Sequence, residues 1–154
     1  MRLLASGPAL LQVWEEIDFV DIPGRLIPEW LAIRNRPSAS AAHRYTIDRH
    51  SVEVVTRLGR ETPRGNRYDD RHYQALLLAG ILHDVGKRPG VADHAAEGAR
   101  HASMVLKRMG FDRDIIWWVT LLVREHLTLS EFATGQNPND PNVGDELASR
   151  LDHD

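Results

Sequence analysis

The stretch LLLAGILHDVGKRPG, residues 76–90, decides the fold. Its first seven residues are apolar or small, which is typical of a buried helix. The apolar run ends in an adjacent His83 and Asp84, and Gly86 follows as a helix stop signal. A carboxylate at a helix C-terminus is opposed by the helix dipole and, when it is buried, needs a cation. The stretch therefore predicts a buried helix over about 70–85 that ends in an imidazole and a carboxylate.

Composition limits the kinds of partner. The chain has 154 residues, 42% of them hydrophobic, which suits one domain with a real core. A net charge of −3 gives no electrostatic footprint for nucleic acid or for an anionic membrane. No apolar run approaches the roughly 20 residues that span a bilayer, and the N-terminus lacks a signal-peptide pattern. We expect a cytoplasmic protein that binds neither nucleic acid nor membrane.

The residue types available to a metal are restricted. The chain has no cysteine, which excludes disulfides and thiolate metal sites, but it has eight histidines. Any metal must therefore be held by histidine together with aspartate or glutamate. Such a donor set suits Mn²⁺, Fe²⁺ or Zn²⁺ and, less well, Mg²⁺.

Apolar residues recur at helical spacing between clear stop signals along the chain. This pattern predicts an all-α bundle with no sheet of more than two short strands. Thr46 or Asp48 is expected to cap the third helix, Asp93 or His94 to open the fifth, and Asp112 to cap the sixth. The predicted helices cover residues 8–20, 27–33, 46–60, 70–85, 94–109, 112–129 and a last one from 141, with a loop at 34–45.

Four histidines occupy inward or helix-end positions in this prediction. His50 and His126 each share a helix face with apolar residues, His83 ends the apolar helix, and His94 lies at a helix N-terminus. A single inward histidine is more often a satisfied core residue than a ligand, but four of them together with Asp84 favour a metal site. The apolar neighbours are Ile47, Val54 and Leu58 for His50, and Ile115, Val119 and Leu122 for His126.

Five motifs in a fixed order carry a resemblance to a known family. They are HRYTIDRH (43–50), ILHDVGK (81–87), DHAAEGA (93–99), LVREHLTLSEFAT (122–134) and NDP (139–141). Over about residues 28–147 the chain resembles the HD-domain phosphohydrolases. Within them, it is similar to the HD domain of the bifunctional uridylyltransferase/uridylyl-removing enzymes, which modify the PII nitrogen-signalling protein.

The resemblance implies an HD-domain helical bundle and assigns roles to site residues. It implies that His50, His83 and Asp84 are the primary metal ligands. It leaves His94 and His126 for a second metal or for the substrate phosphate. A divalent ion there would lower the pKa of its water and polarise a phosphoryl oxygen, and Asp84 can bridge two ions.

Two cations near the motifs have two interpretations each. Lys87 is placed to neutralise a phosphate oxygen as charge builds in the transition state. It is equally consistent with a solvated cation that complements the end of a helix. Arg124 and Glu125 are usually a solvated pair, although Arg124 could reach a phosphate.

The resemblance also predicts the domain organisation. Residues 1–45 are expected to be helices and a loop that lead into an HD domain at 46–154, within a single structural domain. It further implies a nucleotidyltransferase domain before this region and glutamine-sensing ACT domains after it. The family completes its metal site with an aspartate on a later helix, for which Asp152 and Asp154 are poor substitutes. We therefore expect an HD domain that is truncated at its C-terminus.

Three functions are compatible with these features. The first is metal-dependent hydrolysis that removes UMP or AMP from a tyrosine of PII, with weak or no activity in this piece. The second is a free-standing HD nucleotidase or phosphodiesterase, against which the other motifs argue. The third is a non-catalytic regulatory HD module. Gly135 and Gln136 stand where relatives commonly carry two arginines, which leaves phosphate or partner contacts there open.

The remaining histidines and a tryptophan pair receive structural interpretations. We expect His43 and His101 at the surface or behind the ligands, and His72 and His153 in solvent. Trp117 and Trp118 are adjacent, so they cannot both face one side of a helix. One is expected in the core and the other on a surface available to a partner.

Overall fold

The structure, a computed structural model, describes residues 1–38, 44–61, 70–137 and 140–151. In these ranges it contains two short 3₁₀-helices, Leu4–Ser6 and Pro28–Ala32, and an isolated β-bridge between Pro37 and Thr46, but no strand. The all-α prediction is confirmed. The α-helices are α1 (Ala9–Phe19), α2 (Ile22–Leu26), α3 (Ile47–Glu61), α4 (Asp70–Leu82), α5 (His94–Arg108), α6 (Arg113–Arg124), α7 (Thr128–Gly135) and α8 (Pro141–Leu151).

The chain divides into two compact units, Met1–Arg124 and Glu125–Asp154, and each is described by itself. In the first unit, α4 packs on α3 and α6, and α6 also packs on α5. These helices share one core with the N-terminal segment, which supplies the fully buried Leu10, Trp30 and Ile33. Full burial of one such side chain contributes about 1.5–3 kcal/mol. The other fully buried large side chains are Val52, Val55, Leu77, Leu82, Val85, Val105, Leu106, Val119 and Val123.

Side-chain caps start α5 and α6 where the sequence predicts. Asp93 Oδ1 accepts a hydrogen bond from the Ala96 N–H at 2.9 Å, and Asp112 Oδ1 accepts one from the Ile115 N–H at 3.1 Å. Asp48, the alternative cap for α3, instead lies inside the first turn of that helix. Its Oδ2 accepts from the backbone N–H of Asn35 at 2.9 Å, which ties the preceding segment to α3.

Helix α4 ends three residues earlier than predicted. Its last residue is Leu82, and His83 to Gly86 form a turn rather than a final helical turn. The Val85 N–H bonds to the Leu82 carbonyl at 3.1 Å, and the Lys87 N–H bonds to the Asp84 carbonyl at 2.9 Å. These tight i→i−3 bonds replace the α-helical pattern. His83 and Asp84 consequently lie on the turn after the helix.

The predicted single helix over 112–129 is wrong, because α6 ends at Arg124 and α7 begins at Thr128. The Thr128 N–H bonds to the Glu125 carbonyl at 3.0 Å, and the Thr128 hydroxyl donates to Glu125 Oε2 at 2.5 Å. Local bonds of this kind compete with helical hydrogen bonding. The sequence also predicts a helix at 27–33, where the structure has a 3₁₀-helix, and does not predict α2.

The second unit is built from α7 and α8. Asp140 Oδ1 accepts from the Asn142 N–H at 2.9 Å, which confirms the predicted helix start at Pro141. The Arg150 guanidinium joins the two helices, because it lies 3.3 Å from Glu125 Oε2 and 3.1 Å from Glu131 Oε2. The assignment of residues 1–45 and 46–154 to separate roles stays a prediction.

The tryptophan pair does not contribute to the core. Trp117 and Trp118 are 46% and 36% exposed, with their ring centroids 4.5 Å apart in an edge-to-face arrangement. The prediction that one of them is buried is therefore wrong. The inward face of α6 passes through Ile115, Val119 and Val123 instead, and both tryptophans lie beside it. Among the described residues, no helix is both long and apolar enough to cross a membrane.

Candidate metal centre

Three side chains from two parts of the chain meet in the first unit. His50 lies on the first turn of α3, and His83 and Asp84 lie on the turn that follows α4. One potential ligand atom of each lies within 4.8 Å of the others. The two imidazole rings have centroids 5.2 Å apart and an edge-to-face angle of 73°. Long-range packing of α3 on α4 thus assembles residues that are more than 30 positions apart.

The backbone of α4 orients the His83 ring. His83 Nδ1 lies 2.9 Å from the carbonyl oxygen of Gly80. Because a carbonyl can only accept, Nδ1 carries a proton, and in the neutral ring Nε2 therefore carries the lone pair. Nε2 faces Asp84 Oδ2 at 3.6 Å. Metal-binding histidines commonly have this arrangement, in which a backbone carbonyl fixes the tautomer.

Asp84 is a buried carboxylate with cationic or ionisable groups around both oxygens. The residue is only 2% exposed, and removing a carboxylate from water costs several kcal/mol unless a partner compensates. Lys87 Nζ lies 3.3 Å from Oδ2 and supplies one positive charge. His94 Nε2, at the first position of α5, lies 3.9 Å from Oδ1. The two carboxylate oxygens thus face different imidazoles.

The donor set fits a divalent cation. Nitrogen and oxygen ligands of one ion at about 2.0–2.2 Å lie within about 4.4 Å of one another. Since the ligand atoms of His50, His83 and Asp84 already lie within 4.8 Å, small side-chain shifts close the set around an ion. Two imidazoles with one carboxylate suit Mn²⁺, Fe²⁺ or Zn²⁺, whereas Mg²⁺ prefers oxygen ligands.

The environment of His50 differs in part from the predicted one. Ile47 is buried as expected, but Val54 and Leu58 are only half-buried, and the core face of α3 passes through Val52 and Val55. The side chain of His50 is itself half-buried at the edge of this face. An imidazole at the edge of the core remains accessible to an ion, as a site residue must.

The other predicted site residues lie at the end of α6 and beyond it. Arg124 is the exposed last residue of α6. His126 belongs to the second unit and lies between α6 and α7, so its predicted place on the face of α6 is wrong. The register of that face also differs, because Val123 is buried whereas Leu122 is 37% exposed. The roles of Arg124 and His126 stay predictions.

His101 was expected at the surface or behind the ligands, and its burial excludes the first of these places. It is 5% exposed, not at the surface, and its Nε2 lies 2.9 Å from Glu97 Oε1. Burial, followed by the nearby Arg88 and Arg100, lowers the pKa of His101, against the opposing effect of Glu97. His72 is exposed as predicted. His43, His153, Asp152 and Asp154 lie outside the described residues.

A backbone contact beside the site was not predicted. A Cβ atom at Gly86 would lie 2.3 Å from the Gly98 nitrogen and 2.4 Å from the His94 carbonyl oxygen. The turn that carries Asp84 therefore touches the backbone of α5 directly. Both glycines stand in motifs that also carry predicted metal ligands, and their place in these motifs was the available signal.

The comparisons with known proteins concern both the domain and its relatives. A family model described as the HD domain matches residues 47–153. The chain is 41% identical to a bifunctional uridylyltransferase/uridylyl-removing enzyme of Streptomyces coelicolor over 92% of its length. Enzymes of the same name from Mycobacterium tuberculosis and Caulobacter vibrioides are 35% and 31% identical, over 99% and 92% of the chain. No solved structure matches.

The extent of these matches limits what they show. The chain spans 16% to 18% of the length of these curated relatives. The family model covers most of α3 to α8, including every predicted metal ligand. The match and the cluster at Asp84 together support a metal-dependent hydrolase of the phosphohydrolase type, and the chain belongs to the HD-domain family.

Proposed function

We propose that this chain removes a nucleotidyl group, UMP or AMP, from a tyrosine of the PII protein by metal-dependent phosphodiester hydrolysis. The observation that carries the proposal is the cluster of His50, His83 and Asp84, whose ligand atoms lie within 4.8 Å of one another. The names of the relatives, uridylyltransferase/uridylyl-removing enzyme, supply the substrate class. The reaction belongs to cytoplasmic nitrogen regulation.

His50, His83 and Asp84 would hold the divalent cation, with His94 on the other oxygen of Asp84. A cation held there supplies Lewis acidity and an acidified water at neutral pH. The protein orients the His83 ring in advance, because the Gly80 carbonyl oxygen lies 2.9 Å from Nδ1 and favours the proton on that nitrogen. It also contributes the buried charge of Asp84, which attracts a cation strongly because little water screens it.

Lys87 is the residue that we assign to the substrate phosphate. Its side chain is 26% exposed and its Nζ lies 3.3 Å from Asp84 Oδ2, so it contacts the site and solvent at once. Once a cation neutralises Asp84, the ammonium can donate to a phosphate oxygen as negative charge builds there. Arg124, exposed at the end of α6, is a second candidate for the phosphate.

We propose that the longer protein resembles its relatives in domain composition. A nucleotidyltransferase domain before this region would attach the nucleotide, and ACT domains after it would sense glutamine.

The test is a single-turnover assay, which detects slow hydrolysis. Uridylylated or adenylylated PII is incubated with excess chain and Mn²⁺, and released UMP or AMP is quantified. We expect Asp84→Asn to reduce the rate by at least about 100-fold, because ligand loss exceeds the 10–100-fold effect of losing an outer partner. His72→Ala, on the exposed part of α4, should retain the wild-type rate.

Two outcomes would refute the proposal. Equal release by wild type and Asp84→Asn would show that the cluster does not act in hydrolysis. Release of phosphate from free nucleotides, with none from modified PII, would favour a free-standing nucleotidase instead.

A further inference from the structure

The turn that carries Asp84 and the first turns of α5 meet backbone to backbone. The closest approach involves Gly86 on the turn and His94 and Gly98 on α5. A Cβ at Gly86 would lie 2.3 Å, 2.4 Å and 2.8 Å from the Gly98 nitrogen, the His94 oxygen and the Gly98 Cα. Real Cβ atoms do not approach backbone atoms this closely, and backbone cannot rotate away as a side chain can. Any side chain at 86 must therefore push α5 from the turn.

The contact is close from the other helix as well. A Cβ at Gly98 would lie 3.3 Å from the His83 carbonyl oxygen and 3.5 Å from the Gly86 nitrogen. It would also lie 3.2 Å from a methyl group of Val123 on α6. Gly98 thus packs where the turn, α5 and α6 meet. The pair Gly86 and Gly98 is called the glycine contact below.

We propose that Gly86 and Gly98 are positioning residues, whose contact sets how closely His94 approaches Asp84. His94 contributes its own carbonyl to the glycine contact, so the atom that would be displaced belongs to the residue whose ring faces Asp84 Oδ1 at 3.9 Å. The inference rests on the metal site of the proposed function. It adds that cation binding on the His94 side depends on two residues with no ligand atom.

The opposite side of Asp84 is set by different contacts. His50 lies on α3, which packs on α4 near Gly80, where a Cβ would meet the side chains of Leu58 and Val55 at 3.0 Å and 3.1 Å. His83 is oriented by the Gly80 carbonyl within α4. A shift of α5 therefore separates His94 from Asp84 while His50, His83 and Asp84 keep their arrangement.

A second glycine pair offers a matched control. A Cβ at Gly59 near the end of α3 would lie 2.9 Å from the Gly7 nitrogen and 3.0 Å from the Gly7 Cα. This is also a contact of backbone with backbone, but it joins α3 to the N-terminal segment, away from α5. Gly59→Ala should lower stability without changing the distance between His94 and Asp84.

The experiment is a double-mutant cycle on Mn²⁺ affinity, measured by titration calorimetry of the whole chain. We expect Gly86→Ala to weaken Mn²⁺ binding by about 10-fold. This is the lower end of the roughly 10–100-fold loss that follows when a residue supporting a metal ligand is removed. In a His94→Ala background, the same change should have no further effect, because it acts through His94. Gly59→Ala should bind Mn²⁺ as the wild type does.

Additive effects of Gly86→Ala and His94→Ala, or wild-type affinity in Gly86→Ala, would overturn the proposal. A crystal structure of Gly86→Ala provides an independent criterion, since the distance from Asp84 Oδ1 to His94 Nε2 must exceed the present 3.9 Å. If the wild type binds no Mn²⁺, the proposed function fails. The crystallographic distance then still decides whether the glycines position His94.

Discussion

Two clusters of histidine and carboxylate in the first unit contain similar groups but differ in charge balance. Around Asp84, the imidazoles of His50, His83 and His94 meet a carboxylate that is 2% exposed. Around Glu97, the buried His101 meets a carboxylate that Arg100 also binds through two bonds of 2.9 Å and 2.6 Å.

The difference lies in the arginines. Arg100 holds the pKa of Glu97 at about 2, so the carboxylate already has a permanent cation. Arg88 and Arg100 also oppose a further positive charge at His101. Asp84 has Lys87, whose flexible ammonium can turn to a phosphate, and imidazoles that can bind a metal. The two clusters therefore differ in how strongly an arginine already neutralises the carboxylate, which favours the Asp84 cluster as the candidate metal site.

The largest expected effect concerns metal binding at the two clusters. His83→Ala should lower Mn²⁺ affinity by at least about 100-fold, because a ligand is lost, whereas His101→Ala should leave it unchanged. His72→Ala is the exposed control. Titration calorimetry measures all three variants. Equal Mn²⁺ binding by His83→Ala and wild type would show that the Asp84 cluster is packing alone.

The second effect concerns stability without metal. Lys87→Met should lower the free energy of unfolding by about 1–3 kcal/mol, because it removes the ammonium that lies 3.3 Å from the buried Asp84 carboxylate. Mn²⁺ should restore more stability in this variant than in the wild type, since the ion replaces the lost charge. Urea unfolding with EDTA and with Mn²⁺ measures both.

Arg100→Met is the matched control for Lys87→Met. It should cost less stability, because Glu97 stays in contact with solvent, and Mn²⁺ should not restore the loss. If Mn²⁺ restored the stability of Arg100→Met as well as that of Lys87→Met, the proposed difference between the two clusters would be wrong.

The smallest effect is a pH dependence. The folded-state pKa of His101 is below its ordinary value of 6.5, so the unfolded state binds more protons as the pH falls below 6.5. The stability contributed by neutral His101 is therefore present above 6.5 and is lost towards the folded pKa. Glu97, with a pKa of about 2 against 4.5, loses its contribution only below 4.5.

Urea unfolding at pH 7.5 and pH 5.5 measures this dependence. Wild type should lose more unfolding free energy between the two values than His101→Asn, and the difference between the proteins isolates His101 from the other histidines. Equal losses in both proteins would show that burial and the two arginines do not lower the pKa of His101.

The sequence was a good guide to helix starts and a poor guide to helix ends. Asp93, Asp112 and Asp140 each accept a hydrogen bond near the start of a helix, as their types predict. The ends of α4 and α6 were placed too late, because the apolar pattern continues past Leu82 and Arg124. Those ends depend on local bonds and on the backbone of a neighbouring helix, which helical periodicity does not encode.

Side-chain burial is also predicted only in part from the sequence. The helical period of α6 correctly predicts that Ile115 and Val119 face inward. It also predicts that Leu122 lies on this face, where Val123 is buried instead. The prediction that one tryptophan lies in the core is wrong. The inward face of a helix is wide enough that either of two adjacent residues can be the buried one. Only the packing of α4 and α5 on α6 decides which of them is covered.

By itself, the sequence determined the all-α class and the residue types of the metal centre, because periodicity and motif order are local properties of the chain. It also singled out His50, His83 and Asp84. Only the tertiary structure decided that these three meet, that His101 is buried beside arginines, and that two glycines bring His94 to Asp84. The physical reason is that distance and burial depend on how separate helices pack, and the close backbone approach at Gly86 requires a residue without a Cβ there.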